Sequence, residues 1–366
     1  MTAIDKFPRA TLDPAGTTGL ILCGMGGPNS PEAVRPFLRN LFRDPLIFPV
    51  PRLFAGLAGA LIAWKRAPEV RERYALISKD SSTPQLPTTR NQAAYLAAKI
   101  SATGRGTLPG VAMRYWDPYP RESVADLMSE GADQFLIVPT YPQYAQATNG
   151  STIQFVLDAL GKIAPAAPVH VVPDWHLLPG FVEALARPVI SQLTHWAGRG
   201  VDPAECALLY VAHSLPESFI RKGDPYLERT QATVGAVHRL VREVLGAAEK
   251  TAWLDGVTGG TEPLLTFQSK VGPIAWLGPQ IDEEVPRLAA KGIARLMVQP
   301  VSFTCEHIET LLELDIELKA EAVDLGIEDF HRGEALNLNE IWLDSLAGHL
   351  IDTAFSAEVG RIGPAD

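Results

Sequence analysis

At 366 residues, 46% of them hydrophobic and 20% charged, the chain has the length for two domains, each with a core of its own. A formal net charge of -10 argues against a nucleic-acid binder, because no basic surface is available to neutralise phosphates. The three cysteines, Cys23, Cys206 and Cys305, are scattered in a way that excludes a disulfide framework and a zinc ribbon and fits a reducing cytoplasm.

Residues 1–17 carry Lys6 and Arg9 but no apolar run, so no secretory signal is expected. The first predicted strand is Leu20–Cys23. The turn after it, Gly24-Met25-Gly26-Gly27-Pro28, has proline where a dinucleotide motif needs glycine, and Asn29–Glu32 reads as the start of a helix. It is better read as a glycine turn that lets a flat ligand approach the backbone. Leu46–Trp64 is apolar, but Pro49, Pro51 and Arg52 interrupt it, and Leu53–Trp64 falls short of the about 20 residues a spanning helix requires. It is expected to form a lip over an apolar pocket or a surface resting on a membrane, flanked by Arg52, Lys65 and Arg66.

Further predicted strands are Val111–Met113 and Phe135–Val138 in the first half, then His170–Val172, Ala207–Val211 and Leu296–Val298 in the second. Amphipathic stretches at Arg121–Gly131, Thr152–Ile163, Phe181–Thr194 and Gln231–Leu245 separate them. That alternation predicts βαβ units and an α/β fold of parallel sheets. The proline- and alanine-rich segment Gly161–Pro173 marks the expected boundary. This gives an N-terminal domain over 1–165 with the lip at 46–64, a second domain over 166–335, and a C-terminal segment over 336–366. The last contains an amphipathic helix, Leu338–Phe355, that packs back on the body.

Two histidines follow predicted strands, where open α/β sheets place their ligands. His213 closes Ala207–Val211 in the run Val211-Ala212-His213-Ser214-Leu215-Pro216 and, with an ordinary pKa of about 6.5, can take a proton at neutral pH. His307 lies beyond Leu296–Val298, within Cys305-Glu306-His307-Ile308-Glu309. Glu309, Glu313, Glu317 and Glu321 then recur every four residues, lining one side of a helix. Such a row repels itself by about 0.2–0.5 kcal/mol per pair, and it suits the passage of a cation. His307 and Glu309 share a face only if His307 precedes the regular helix or the helix is bulged. Arg114-Tyr115 ends another strand and offers a guanidinium fork to a ligand carboxylate. Tyr141-Pro142-Gln143-Tyr144 closes the strand Phe135–Val138 at the same sheet edge.

At these residues the chain resembles ferrochelatase, the enzyme family that inserts ferrous iron into a porphyrin. The resemblance runs from about Thr18 to Asn337. It is carried by Gly26-Gly27-Pro28, Val34–Leu38 with Leu41–Pro45, Met113-Arg114-Tyr115, Tyr141–Tyr144, Ala212-His213-Ser214, Gly223–Tyr226, Phe267–Pro273 and the His307–Glu309 block. The resemblance implies two similar doubly wound, Rossmann-like domains of the class II chelatase kind, with the porphyrin in a cleft between them. It implies that His213 and Glu309 are catalytic and that His213, Glu309, Glu313 and Glu317 handle the metal. Met25, Arg114, Tyr115, Tyr144, Gln268 and His307 are expected near the macrocycle.

The implied reaction is the lyase reaction that ends haem biosynthesis, ferrous iron entering protoporphyrin IX, in the cytoplasm with peripheral membrane contact. Coproporphyrin III is the alternative substrate, and a non-catalytic porphyrin or haem carrier the alternative function. The retained acidic row argues against a carrier, which has no use for a cation path. A cobalt or nickel chelatase would need more histidine. Iron is a substrate, and no resident cofactor is expected. Some relatives carry a cluster cysteine where Gln146 stands, and the three cysteines lack cluster spacing, so no iron–sulfur centre is expected. One departure concerns the pocket rim: Ser78-Lys79-Asp80-Ser81-Ser82-Thr83-Pro84 replaces a glycine-rich turn.

Overall fold

The computed structural model describes residues 4–44, 52–78, 82–272 and 274–355. Residues 46–51 of the expected lip, 79–81 of the altered rim, and Pro45 and Pro273 of the quoted motifs lie outside the described residues. The chain divides into two compact units, Met1–Trp175 with Leu343–Asp366, and His176–Trp342.

The first unit holds a parallel sheet in the order β2-β1-β3-β4: β1 Thr18–Gly24, β2 Thr107–Met113, β3 Gln134–Pro139 and β4 Val169–Val171. All residues of β1 and β3 are buried, as expected for strands covered on both faces. The second unit repeats the order as β6-β5-β7-β8, with β5 Cys206–His213, β6 Leu264–Gln268, β7 Arg295–Pro300 and β8 Asp329–Arg332. In each sheet the order reverses between the two central strands. Their carboxyl ends form a topological switch point, the place where such sheets bind ligands.

β4 is the strand expected at His170–Val172. It pairs with β3 and so belongs to the first sheet, not to the second half. The Pro/Ala-rich segment precedes this strand instead of separating units. The chain leaves the first unit only after Trp175, whose indole donates to the Pro139 carbonyl at 3.0 Å. Helix Glu340–Ala354 also returns to the first unit, where Tyr95 and Lys99 both reach Asp344 at 2.8 Å. The strands that sequence reading missed are β6 and β8, both at sheet edges. β8 reads Asp-Phe-His-Arg and has no apolar run to reveal it.

Local chemistry accounts for the helix starts that frame the first sheet. Helix Pro120–Ser129 opens with proline, and the Glu122 carboxylate accepts from the Tyr119 N–H at 3.1 Å. Helix α1, Val34–Phe42, packs on the long helix α2, Arg52–Ile77. Leu57, Leu61 and Trp64 of α2 are 76%, 63% and 61% exposed and fall at helical spacing, so they form one apolar stripe. Among the described residues no helix is long and apolar enough to cross a membrane.

Candidate functional site

The second switch point gathers several of the expected residues. His213 is the last residue of β5. Its backbone N–H donates to Ser302 Oγ at 3.2 Å and its carbonyl accepts from Tyr226 OH at 2.7 Å. Its ring Nδ1 is 2.6 Å from the Ser214 carbonyl. A carbonyl only accepts, so Nδ1 carries the proton and the neutral ring keeps its lone pair on Nε2.

β7 ends at Pro300, and the chain passes through Ser302 to His307, which has an extended backbone with φ -161° just before the helical turn Ile308–Leu311. Thr310 Oγ1 accepts from the His307 N–H at 3.0 Å and donates to its carbonyl at 3.1 Å, locking that start. His307 Nε2 thereby comes within 3.3 Å of Glu309 Oε2. The His307 ring also meets Phe303 edge-on, with centroids 4.4 Å apart. Burial lowers the His307 pKa from its ordinary value and outweighs the opposing pull of Glu309 and Glu306.

The even acidic row expected along this helix is broken. Residues Glu313–Leu318 form a π-helical turn, in which the Glu317 N–H reaches back five residues to Leu312 O at 2.9 Å. Regular helix resumes at Lys319–Asp324, so Glu309, Glu313, Glu317 and Glu321 do not keep the spacing of an unbroken α-helix. Glu313 turns to the end of β6. Its Oε2 accepts from Gln268 Nε2 at 2.9 Å and from Ser269 Oγ at 2.5 Å. Gln268, expected beside the macrocycle, also donates to the Glu309 carbonyl at 2.8 Å, so its amide ties β6 to the acidic segment. Ser269 has φ +67°, a conformation that costs a non-glycine residue energy and occurs at functional sites. Burial raises the Glu313 pKa, with the Glu309 charge adding to it; Ser269, Gln268 and His213 oppose the rise. Glu317 is exposed. Among the described residues, no three His, Cys, Asp or Glu side chains form a ready-made metal cage.

The first unit presents its own set. Arg114 spends its guanidinium on Asp44, with Nη2 and Nε at 2.7 and 3.0 Å from Oδ2, and the Tyr115 hydroxyl donates to the same oxygen at 2.6 Å. The fork expected to meet a ligand carboxylate is therefore engaged within the chain. Burial, then the Asp44 charge, pushes the Tyr115 phenol up. Met25 is half-buried in the glycine turn, and its carbonyl accepts from the Tyr115 N–H at 2.9 Å. At Gly26, φ is +81° and a β-carbon would sit 2.9 Å from Met113, so this turn requires glycine. Tyr144, expected at the macrocycle, is fully buried in the first core, with its ring centroid 6.3 Å from that of Phe7. In this conformation it offers no face to a ligand. Asn149, within a glycosylation sequon, is likewise buried, and its amide bonds to the Tyr141 and Pro173 carbonyls at 2.9 Å each.

The sequence profile of the family described as Ferrochelatase matches residues 17–354. The chain belongs to the ferrochelatase family. A ferrochelatase of Gloeobacter violaceus is 36% identical over 340 residues, covering 91% of this chain and 97% of that protein. One from Geotalea uraniireducens is 37% identical over 342 residues, with 93% and 99% covered. The chloroplastic ferrochelatase-2 of Cucumis sativus is 35% identical over 345 residues, but the chain spans only 63% of that protein's length. Among solved structures, the sirohydrochlorin chelatase SirB of Bacillus subtilis subspecies spizizenii, in complex with cobalt, aligns over 93% of this chain and 97% of its own at 11% identity and a TM-score of 0.49. The fold assignment rests on the two matching strand orders instead. Ferrochelatases are metal chelatases, classed as lyases.

Proposed function

We propose that this chain inserts ferrous iron into protoporphyrin IX and releases protohaem. The observation that carries the reading is His213 at the switch point with Nδ1 held by a carbonyl, in the same unit as the His307–Glu309 pair and the half-buried Glu313 carboxyl.

The chemistry required is simple to balance. A free porphyrin carries two N–H protons where the metal must sit, so one ferrous ion enters as two protons leave. His213 Nε2, holding the lone pair, accepts a pyrrole proton, and Glu309 shares proton removal and receipt of the metal. Glu313 and Glu317 supply further oxygen ligands for a partly dehydrated ion. Bending the flat ring toward the product exposes the nitrogen lone pairs, at a strain of about 1–5 kcal/mol supplied by remote apolar contact. Met25, Arg114, Tyr115, Gln268 and His307 are the proposed porphyrin-side residues. Arg114 acts there while paired to Asp44, and Tyr144, buried in the first core, is not among them.

No resident cofactor is proposed. The three cysteines are buried thiols without cluster spacing, and burial pushes Cys206 up to about 11 and Cys305 up to about 12. A cytoplasmic location with peripheral attachment is proposed from the exposed stripe Leu57, Leu61 and Trp64 beside Lys65 and Arg66, a pairing of apolar and basic groups suited to an anionic bilayer.

The substrate is tested by parallel anaerobic rates on protoporphyrin IX and coproporphyrin III. Faster metallation of protoporphyrin IX supports the proposal; faster metallation of coproporphyrin III overturns the substrate while leaving the reaction.

A further inference from the structure

Between Glu306 and Glu317 the chain carries five carboxylates, Glu306, Glu309, Glu313, Asp315 and Glu317, and no lysine or arginine. Arg332, from outside the segment, pairs with two of them. It is the last residue of β8 and is only 7% exposed. Its Nε and Nη2 donate to the two oxygens of Asp315 at 2.7 and 2.6 Å, a bidentate fork. Its Nη1 donates to Glu306 Oε1 at 2.9 Å and to the Gly333 carbonyl at 3.0 Å. The same Glu306 oxygen also accepts from the Ala335 N–H at 2.9 Å.

The two carboxylates bracket the residues assigned to the chemistry. Glu306 immediately precedes His307, and Asp315 lies inside the π-helical turn, two residues after Glu313. The anchor itself is rigid, because Arg332 is paired with Val298 of β7 in the parallel sheet and the Gly333 N–H continues the ladder to Val298 O at 2.9 Å. A π-turn is less favourable than the α-turn it replaces, so something must hold it open. The Asp315–Arg332 fork ties this turn to the end of β8, and in the same turn Glu313 accepts from Gln268 and Ser269.

We propose that Arg332 is a positioning residue for metal handling: it neutralises Glu306 and Asp315 and locks the widened turn that carries Glu313 and Glu317. The proposal deepens the assigned metal role of this segment and rests on that reading. Arginine is specific to the task, because lysine provides a point charge that does not span two carboxylates.

The test uses the full chain with Arg332→Met, Arg332→Lys and Asp315→Asn, the last keeping the Arg332–Glu306 pair as the variant least able to disturb folding. KM is measured separately for ferrous iron and for porphyrin, and zinc(II) affinity by calorimetry without porphyrin. Loss of a residue that orients metal ligands typically weakens metal binding by about 10-fold or more. Arg332→Met and Asp315→Asn are therefore expected to raise the iron KM and weaken zinc by that factor while the porphyrin KM stays within about twofold, and Arg332→Lys is expected to recover little. The proposal is overturned if Asp315→Asn and a folded Arg332→Met keep the wild-type iron KM and zinc affinity. It is equally overturned if both KM values shift together and lysine restores them, which marks a purely structural charge pair. A wild type that binds zinc but metallates no porphyrin removes the proposed reaction, and the zinc series then decides the role of Arg332 alone. A wild type that does neither overturns both.

Discussion

His307 Nε2 lies 3.3 Å from a carboxylate oxygen of Glu309, although residues two apart on a regular helix point to opposite sides. The contact exists because His307 is the extended residue before the first turn and Thr310 fastens that turn by bonding both the N–H and the carbonyl of His307. A neutral imidazole and a carboxylate are thereby joined at the end of β7, beside the strand that ends in His213.

If Glu309 receives protons or metal, Glu309→Gln keeps its size and loses its charge. Turnover should fall by about 100-fold, the lower range for loss of an acid–base group, while porphyrin still binds. Steady-state rates and a porphyrin fluorescence titration measure the two separately. An unchanged rate removes Glu309 from the mechanism.

Glu313 has a pKa raised above its ordinary value of about 4.5, chiefly by burial. The folded state therefore binds this proton more tightly than the unfolded state. Its stabilising contribution is present below about pH 4.5 and is lost as pH rises through the folded-state value. Relative to wild type, Glu313→Gln should gain melting temperature as pH rises from about 4.5 to 8, since the glutamine has no buried charge to form. A difference that does not change with pH contradicts the shift.

The Asp44 carboxylate accepts from Arg114 and Tyr115 and is itself 5% exposed. Breaking a buried pair strands the partner charge, at a cost of about 3–5 kcal/mol. Asp44→Ala should lower unfolding free energy by that order in urea titrations. A loss under about 1 kcal/mol would mean solvent replaces the carboxylate freely.

The α2 stripe predicts that the protein floats with vesicles containing phosphatidylserine and less with neutral ones. Leu57→Asp with Trp64→Asp should abolish flotation with either lipid, and Lys65→Glu with Arg66→Glu should remove the preference for anionic lipid. Absence of flotation at low salt leaves the stripe as a pocket wall alone.

Central strands were legible in the sequence because both faces of β1, β3, β5 and β7 are covered, which imposes continuous apolar runs. The edges were harder. β2 contains Pro109 and Gly110, tolerated at an edge where few N–H groups are needed, and only its last residues, Val111–Met113, were visible. β6 was missed and β8, with its polar sequence, carried no signal. His213, His307 and Glu309 were readable as strand-end and helix-start residues. A bulge was one of the two ways offered for His307 and Glu309 to share a face, but its place at Glu313–Leu318 was not legible, because the even row of glutamates follows a single helical period. Ser269 and Arg332 act through a left-handed backbone and a bond across seventeen residues, respectively, and sequence pattern carries neither. A clue to Arg332 was available in the acidic run 306–317, which demanded a buried cation from elsewhere. The burial of Tyr144 in the first core was not legible, because strand-end position gives no information on which way a side chain turns.

The most direct test of the central claim is anaerobic metallation of protoporphyrin IX by ferrous iron, followed by loss of porphyrin fluorescence, with wild type beside His213→Ala. The account predicts rapid metallation by the wild type. It predicts a rate reduced by about 100-fold or more in the variant, whose circular dichroism and porphyrin affinity remain those of the wild type. A wild type that binds porphyrin without metallating it, or a variant as fast as the wild type, would contradict the account.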